Sequence, residues 1–132
     1  MKKFIVKTTA LTTLLIGGFA STVAAGEYEF QGTYSNLIYS DSNFYVSGSS
    51  DIDGKQNSDD AGDTRARYAM VSKGDEPADD TIITYFHENG TGDFSRTFAS
   101  FDSYAYLRMD NKNDSSWYGG KSAITSSGTY SY

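Results

Sequence analysis

Between residues 26 and 132, apolar side chains recur at every second position in short runs separated by polar turns. No stretch there shows the i, i+3, i+4, i+7 spacing of an amphipathic helix. The runs are EYEF (27–30), NLIYS (36–40), FYVSG (44–48), RARYAMVS (65–72), TIITYFHE (81–88), DFSRTFAS (93–100), SYAYLRMD (103–110) and KSAITSSG (121–128). In RARYAMVS, Ala66, Tyr68 and Met70 fall on one face and Arg65, Arg67 and Ala69 on the other. In SYAYLRMD, Ala105, Leu107 and Met109 lie opposite Tyr104, Tyr106 and Arg108. That is the period of a strand with one buried side. TIITYFHE begins apolar on both faces, with Ile82 and Phe86 on one and Ile83 and Tyr85 on the other, which predicts a central strand. The fold expected is all-β, an antiparallel β-sandwich of about seven to eight short strands in a single domain.

Three polar stretches are predicted as connections: Ser47 to Thr64, SKGDEPADD (72–80) and DNKNDSSWYGG (110–120). The first is read as a mobile acidic loop at 47–64. A two-residue turn is predicted at Asn89-Gly90, since a type I′ hairpin needs positive φ at both positions; Gly92 allows a longer, bulged loop instead. On this reading TIITYFHE and DFSRTFAS pair as a hairpin.

The first 25 residues follow a different pattern. Lys2, Lys3 and Lys7 precede a mostly apolar or small segment from Ala10 to Ala20, and Val23, Ala24 and Ala25 give a small-residue cleavage site. This is the signature of a signal peptide, too short to span a bilayer. Cleavage after Ala25 leaves 107 residues starting at Gly26, and residues 1–25 are set aside from the domain at 26–132. The chain is therefore expected to be secreted, extracellular or loosely envelope-associated, with no integral membrane segment after processing. It has no cysteine, so its stability rests on the core without disulfides. After processing, eight basic residues face seventeen acidic ones, a net charge of −9. That balance argues against nucleic acid as a partner and against direct attack on anionic membranes.

Candidate chemistry is sparse. With Ser49 taken as position 1, Asp51, Asp53, Gly54 and Asp60 fall at positions 3, 5, 6 and 12 of a calcium-loop spacing. Position 1 lacks a carboxylate, position 12 is the shorter acid and no helix flanks the loop. A solvated loop is the preferred reading, with Asp51, Asp53 and Asp60 kept as a calcium candidate. His87 is the one histidine and stands beside Glu88, with Asp93 close by. Without cysteine, Cys–His chemistry is excluded, as is a multi-histidine zinc site. No nucleophile elbow accompanies His87, and none of the four glutamates lies in an apolar setting. The chain is expected not to be an enzyme and to need no cofactor.

Aromatic residues carry the remaining signal. Residues 26–132 hold eleven Tyr, six Phe and one Trp, more than a core of that size readily hides. Tyr104, Tyr106 and Arg108 on one strand face, with Trp117 and Tyr118 in a Gly-flanked loop, are the expected binding residues. Cross-strand tyrosine pairing without a ligand is the competing explanation.

The paired arginines of RARYAMVS, the segment YLRMDNKND (106–114) and a Gly- and Tyr-containing close resemble a family of small secreted proteins of Gram-positive bacteria, classed as a domain of unknown function. The resemblance covers about residues 65 to 130, and the acidic 47–64 insert departs from it. It implies an association with loci that export bacteriocin-like peptides and carries over no catalytic or binding residue. In size and cysteine-free secretion the chain is also similar to lactococcin-type bacteriocins. The function expected is a secreted, non-catalytic binding protein of the envelope or exterior, its partner a protein or a cell-envelope glycan. A bacteriocin-like antagonist acting through a target-cell partner is the alternative.

Overall fold

The computed structural model describes the chain outside residues 1–2, 16–18, 60–63 and 114–121, with side chains from Gly26 onward. The described residues form eight antiparallel strands: β1 (Lys3–Leu15), β2 (Phe19–Tyr34), β3 (Leu37–Tyr39), β4 (Phe44–Ser58), β5 (Arg65–Ser72), β6 (Thr81–Asn89), β7 (Gly92–Asn111) and β8 (Ile124–Ser131). A single 3-10 turn at Pro77–Asp79 joins β5 to β6. Among the described residues no helix is long and apolar enough to cross a membrane. The order across the sheet is β1-β2-β8-β4-β7-β5-β6, with β3 pairing β7. The expected all-β, sandwich-like architecture is what the chain adopts.

β7 couples the two layers. Its first part, from Gly92 to Ala105, pairs with β4, whereas Tyr106–Asn111 pairs with β5 and Arg108–Asp110 with β3. The layers enclose a core in which aromatics do the work that Leu, Ile and Val do elsewhere. Tyr28, Phe30, Phe44, Tyr68, Phe98 and Tyr130 are all buried. Tyr68 of β5 packs on Phe94 of β7 at 4.8 Å between centroids and stacks on Phe86 of β6 at 5.2 Å. Its hydroxyl meets Ser126 Oγ of β8 at 2.8 Å and donates to Gln56 Oε1 of β4 at 2.9 Å, so the polar tips of core tyrosines are satisfied inside.

Several expectations need correction. Residues 47–58 of the acidic stretch are strand, not loop: β4 runs to Ser58 between β7 and β8. Its inward positions are Ser50, Ile52 and Gln56, buried although two of them are polar. Gln56 Nε2 donates to the carbonyls of Glu88 and Gly90 at 3.0 and 2.7 Å, and Tyr130 Oη donates to Ser50 Oγ at 2.9 Å. Internal hydrogen bonds thus replace the apolar signature of a buried strand face. DFSRTFAS and SYAYLRMD are one strand, continuous through a bulge opposite Gly48, whose φ of +105° suits glycine.

The Asn89-Gly90 hairpin does not form. β6 pairs with β5 and β7 with β4, so the connection is an arch that crosses from one layer to the other. Gly90 and Gly92 take positive φ, but among the described residues no non-glycine does, so Asn89 cannot make a type I′ turn. The Gly90 amide instead donates to the Thr64 carbonyl at 2.7 Å. TIITYFHE is an edge strand rather than a central one. A bulge between Met70 and Val71 leaves Ile83 as the extra residue, which lets Ile83 and Phe86, three apart, both pack on the core.

Residues 3–15 and 19–25, within the segment set aside as a leader, are strand in the sheet. β1 pairs with β2 from Lys3↔Gln31 to Leu15↔Phe19, filling the outer edge that β2 offers beyond β8.

Candidate functional site

Along the second half of β7 the even-numbered side chains Asp102, Tyr104, Tyr106, Arg108 and Asp110 share the outward face, and Ala105, Leu107 and Met109 are buried on the inward one. The sequence placed Tyr104, Tyr106 and Arg108 together correctly. Their exposure falls along the row because the 73–80 connection and β3 cover only its far end. Tyr104 is 63% exposed, Tyr106 half-buried and Arg108 buried.

Tyr104 stands opposite Tyr45 of β4, itself 51% exposed, with ring centroids 5.1 Å apart and planes at 67°. Tyr45 donates its hydroxyl to Asp102 Oδ1, one step along the same face. That bond raises the Tyr45 pKa above its ordinary value. Next along the row, Lys73 Nζ lies 5.4 Å from the Tyr106 ring and 4.5 Å from the Tyr39 ring. Four tyrosines from three strands (Tyr45, Tyr104, Tyr106 and Tyr39) thus make a strip, with Asp102 at one end and Lys73 at the other. Sequence reasoning missed Tyr45, Tyr39 and Lys73. Tyr45 was legible in FYVSG, where Phe44 and Val46 turn inward and leave it outside.

Arg108 is not available to a ligand. Its Nε donates to Asp110 Oδ1 at 2.8 Å, and its Nη1 to Asp80 Oδ2 at 2.8 Å and to the Pro77 carbonyl at 3.0 Å. Arg67 holds Asp110 from the other side at 2.8 Å. Burial opposes the Asp80 charge, but hydrogen bonds from Tyr39, the Gly74 amide and Arg108 together hold its carboxyl below the ordinary value. Burial, reinforced by Asp80, pushes Tyr39 up to about 12. This network ties the 73–80 connection down beside the strip. Arg108 is thereby a structural tie, and Tyr45 rather than Arg108 stands exposed beside Tyr104. Trp117 and Tyr118 lie outside the described residues.

The other candidates do not assemble. His87 is exposed on the outer face of β6, edge-on to Tyr85 at 5.5 Å, and Glu88 turns inward to pair with Arg96 at 2.8 Å. Asp93 faces Lys55 across β7 and β4, on the opposite side of the sandwich from His87. Asp51 and Asp53 project from the outer face of β4, where they accept hydrogen bonds from Thr97 at 2.7 Å and Ser95 at 2.5 Å. A strand in mid-sheet does not wrap a cation as the calcium loop does, and Asp60 lies outside the described residues. Among the described residues no group of three or more His, Cys, Asp or Glu is placed to hold a metal ion.

No protein-family model and no curated protein matches the chain. Among solved structures it is similar to the CBM36-1 domain of a multidomain xylanase from the hindgut metagenome of Trinervitermes trinervoides. Identity is 13%, the TM-score is 0.38, and the match covers 100% of this chain and 97% of that one. At that TM-score the likeness defines neither a shared fold nor a shared ligand.

Proposed function

We propose that the chain is a secreted, non-catalytic binding protein of the bacterial envelope or exterior, and that it holds an extended envelope glycan along the tyrosine strip. The observation that carries this reading is the Tyr45–Tyr104 pair, two large rings packed edge-to-face on neighbouring strands and both exposed. Cross-strand pairing alone accounts for their contact but not for exposing more than half of each. Asp102 and Ser47, opposite each other one step along the same face, adjoin the pair, so the neighbourhood offers hydrogen bonds rather than further apolar area. Such a surface suits a sugar, whose C–H face packs on a ring while its hydroxyls bond to the rim. A protein interface of the same size has a more apolar centre.

The test is affinity electrophoresis of the full chain through gels containing soluble cell-wall polysaccharide. Wild type is expected to be retarded, and Tyr104→Ala and Tyr45→Ala each to weaken binding by about tenfold, the equivalent of ~1.4 kcal/mol for one lost aromatic contact. Tyr85→Ala, a change at a 55% exposed tyrosine of β6, separated from β7 by β5 and outside the strip, should leave retardation unchanged. Equal retardation of wild type, Tyr104→Ala and Tyr45→Ala would remove the strip from the proposal.

A further inference from the structure

The lateral edges of the sandwich are treated unequally. On one side, the free edges of β6 and of the first part of β7 each carry an inward-facing charge, Glu88 and Arg96, which pair with each other at 2.8 Å. Inward charges on edge strands are how sheets resist pairing with another chain. On the opposite side, the edge of β2 has no such guard. Its inward residues are Tyr28, Phe30, Gly32 and Tyr34, and it holds neither proline nor lysine. In the full chain β1 sits on this edge, with Phe4↔Phe30 and Val6↔Tyr28 in register. β1 belongs wholly to the segment expected to leave as a signal peptide.

Backbone polarity along β2 follows from its far end. Gly26 and Tyr132 exchange both backbone hydrogen bonds, at 2.9 Å each, so the amide and carbonyl of Gly26 point toward β8. These groups alternate sides along a strand, so Tyr28, Phe30, Gly32 and Tyr34 also point toward β8. Glu27, Glu29, Gln31 and Thr33 point the other way, and the first three lie opposite Lys7, Ile5 and Lys3 of β1. Removing residues 1–25 takes from the backbone groups of Glu27, Glu29 and Gln31 the strand that β1 sets beside them.

We infer that leader removal unmasks this edge and that a second copy of the processed chain occupies it, pairing β2 with β2 antiparallel about a two-fold axis at Phe30. The inference rests on the signal-peptide reading. The sequence of the edge is self-complementary in that register. Glu29 meets Gln31 of the copy, Glu27 meets Thr33, Tyr28 meets Gly32 and Phe30 meets Phe30. No acidic residue lies directly opposite another, and the large ring of Tyr28 faces the residue without a side chain. Both copies carry their tyrosine strips on the same continuous sheet, which gives a divalent surface for a repeating polymer. In the unprocessed chain β1 keeps the edge closed until export.

The test compares protein recovered from the medium of secreting cells with unprocessed full chain retained inside cells. N-terminal sequencing of the secreted form is expected to read from Gly26; any other start overturns the leader reading on which the inference stands. Sedimentation equilibrium should give the secreted form twice its chain mass and the unprocessed form its single chain mass. A monomeric secreted form starting at Gly26 overturns the edge proposal while leaving the leader reading intact. Amide exchange of the wild type locates the interface without a variant. The amides of Glu29 and Gln31 are expected to be protected in the dimer and to lose protection on dilution to monomer, while those of Tyr28 and Phe30 stay protected throughout. Gln31→Pro removes one edge donor and none that serves β8, so it should leave a folded monomer. A dimer with unprotected Glu29 and Gln31 amides, or a dimeric Gln31→Pro, places the interface elsewhere and overturns the proposal.

Discussion

Replacing Arg108 with methionine separates the two roles this residue could have. The structure encloses the guanidinium, 11% exposed, between Asp80 at 0% and Asp110 at 6%. Breaking a buried ion pair from one side costs about 3–5 kcal/mol, mainly because the remaining charge stays buried. Here the loss is softened, since Asp110 keeps Arg67 and Asp80 keeps the Tyr39 hydroxyl and the Gly74 amide. A cost of about 2–4 kcal/mol remains, which for a domain of this size lowers Tm by roughly 10 °C. Arg108→Met with Asp80→Asn removes the orphaned charge as well, so the double variant should recover about half of the loss. The assay is thermal unfolding followed by circular dichroism, run beside polysaccharide retardation. Tyr104→Ala is the counterpart, expected to change stability by less than about 0.5 kcal/mol while weakening binding. The reasoning is refuted if Arg108→Met melts within about 2 °C of wild type yet no longer binds. Arg108 would then be a ligand contact and not a tie for the 73–80 connection.

Other outcomes follow from the same geometry. Gly128→Ala should be among the most damaging single-methyl additions, because its Cβ would lie 2.1 Å from the Asp53 carbonyl oxygen. The β4–β8 ladder would have to part, and a loss of stability of more than about 3 kcal/mol by urea titration is expected. The Asp80 carboxyl has its pKa lowered in the folded state, so its contribution is fully present above the unfolded value of about 4 and is lost as pH falls through the folded value. The urea midpoints of wild type and Asp80→Asn should therefore differ at pH 7 and converge toward pH 2. Melting temperature should be the same in excess calcium and in chelator. A rise with calcium would bring Asp51, Asp53 and Asp60 back as ligands.

What the sequence made legible depended on unbroken parity. RARYAMVS became β5 residue for residue because its alternation never slips between Arg65 and Ser72. β7 was read as two strands because parity breaks between Phe98 and Phe101, three apart yet both directed to the core. The bulge opposite Gly48 repairs that mismatch, and nothing local in the sequence distinguishes a bulge from a strand end. β6 was misplaced for the same reason, since the bulge at Ile83 makes an edge strand look apolar on both faces. β4 failed differently. Over residues 47–58 its buried side chains are Ser50, Ile52 and Gln56, and whether such a face is buried depends on partners far along the chain, Tyr130, Glu88 and Gly90. The Asn89-Gly90 signal predicted a turn where there is one, but whether the turn joins paired strands or bridges two layers is decided by β5 and β4 competing for its flanks.

The same tyrosine chemistry serves two opposite ends here, and strand parity separates most of the cases. Tyr28, Tyr68 and Tyr130 are inward members of their strands, and each finds its hydroxyl a partner: Asp41, Ser126 with Gln56, and Ser50. Tyr45, Tyr85 and Tyr104 are outward members and remain mostly exposed. Parity does not decide the intermediate ones. Tyr39 and Tyr106 point outward by alternation, yet Lys73 and the 73–80 connection fold over them. The strip therefore grades from a solvent-facing pair into a covered base within a single strand face. The Arg108 network belongs to that covered base, where it holds the 73–80 connection against β7.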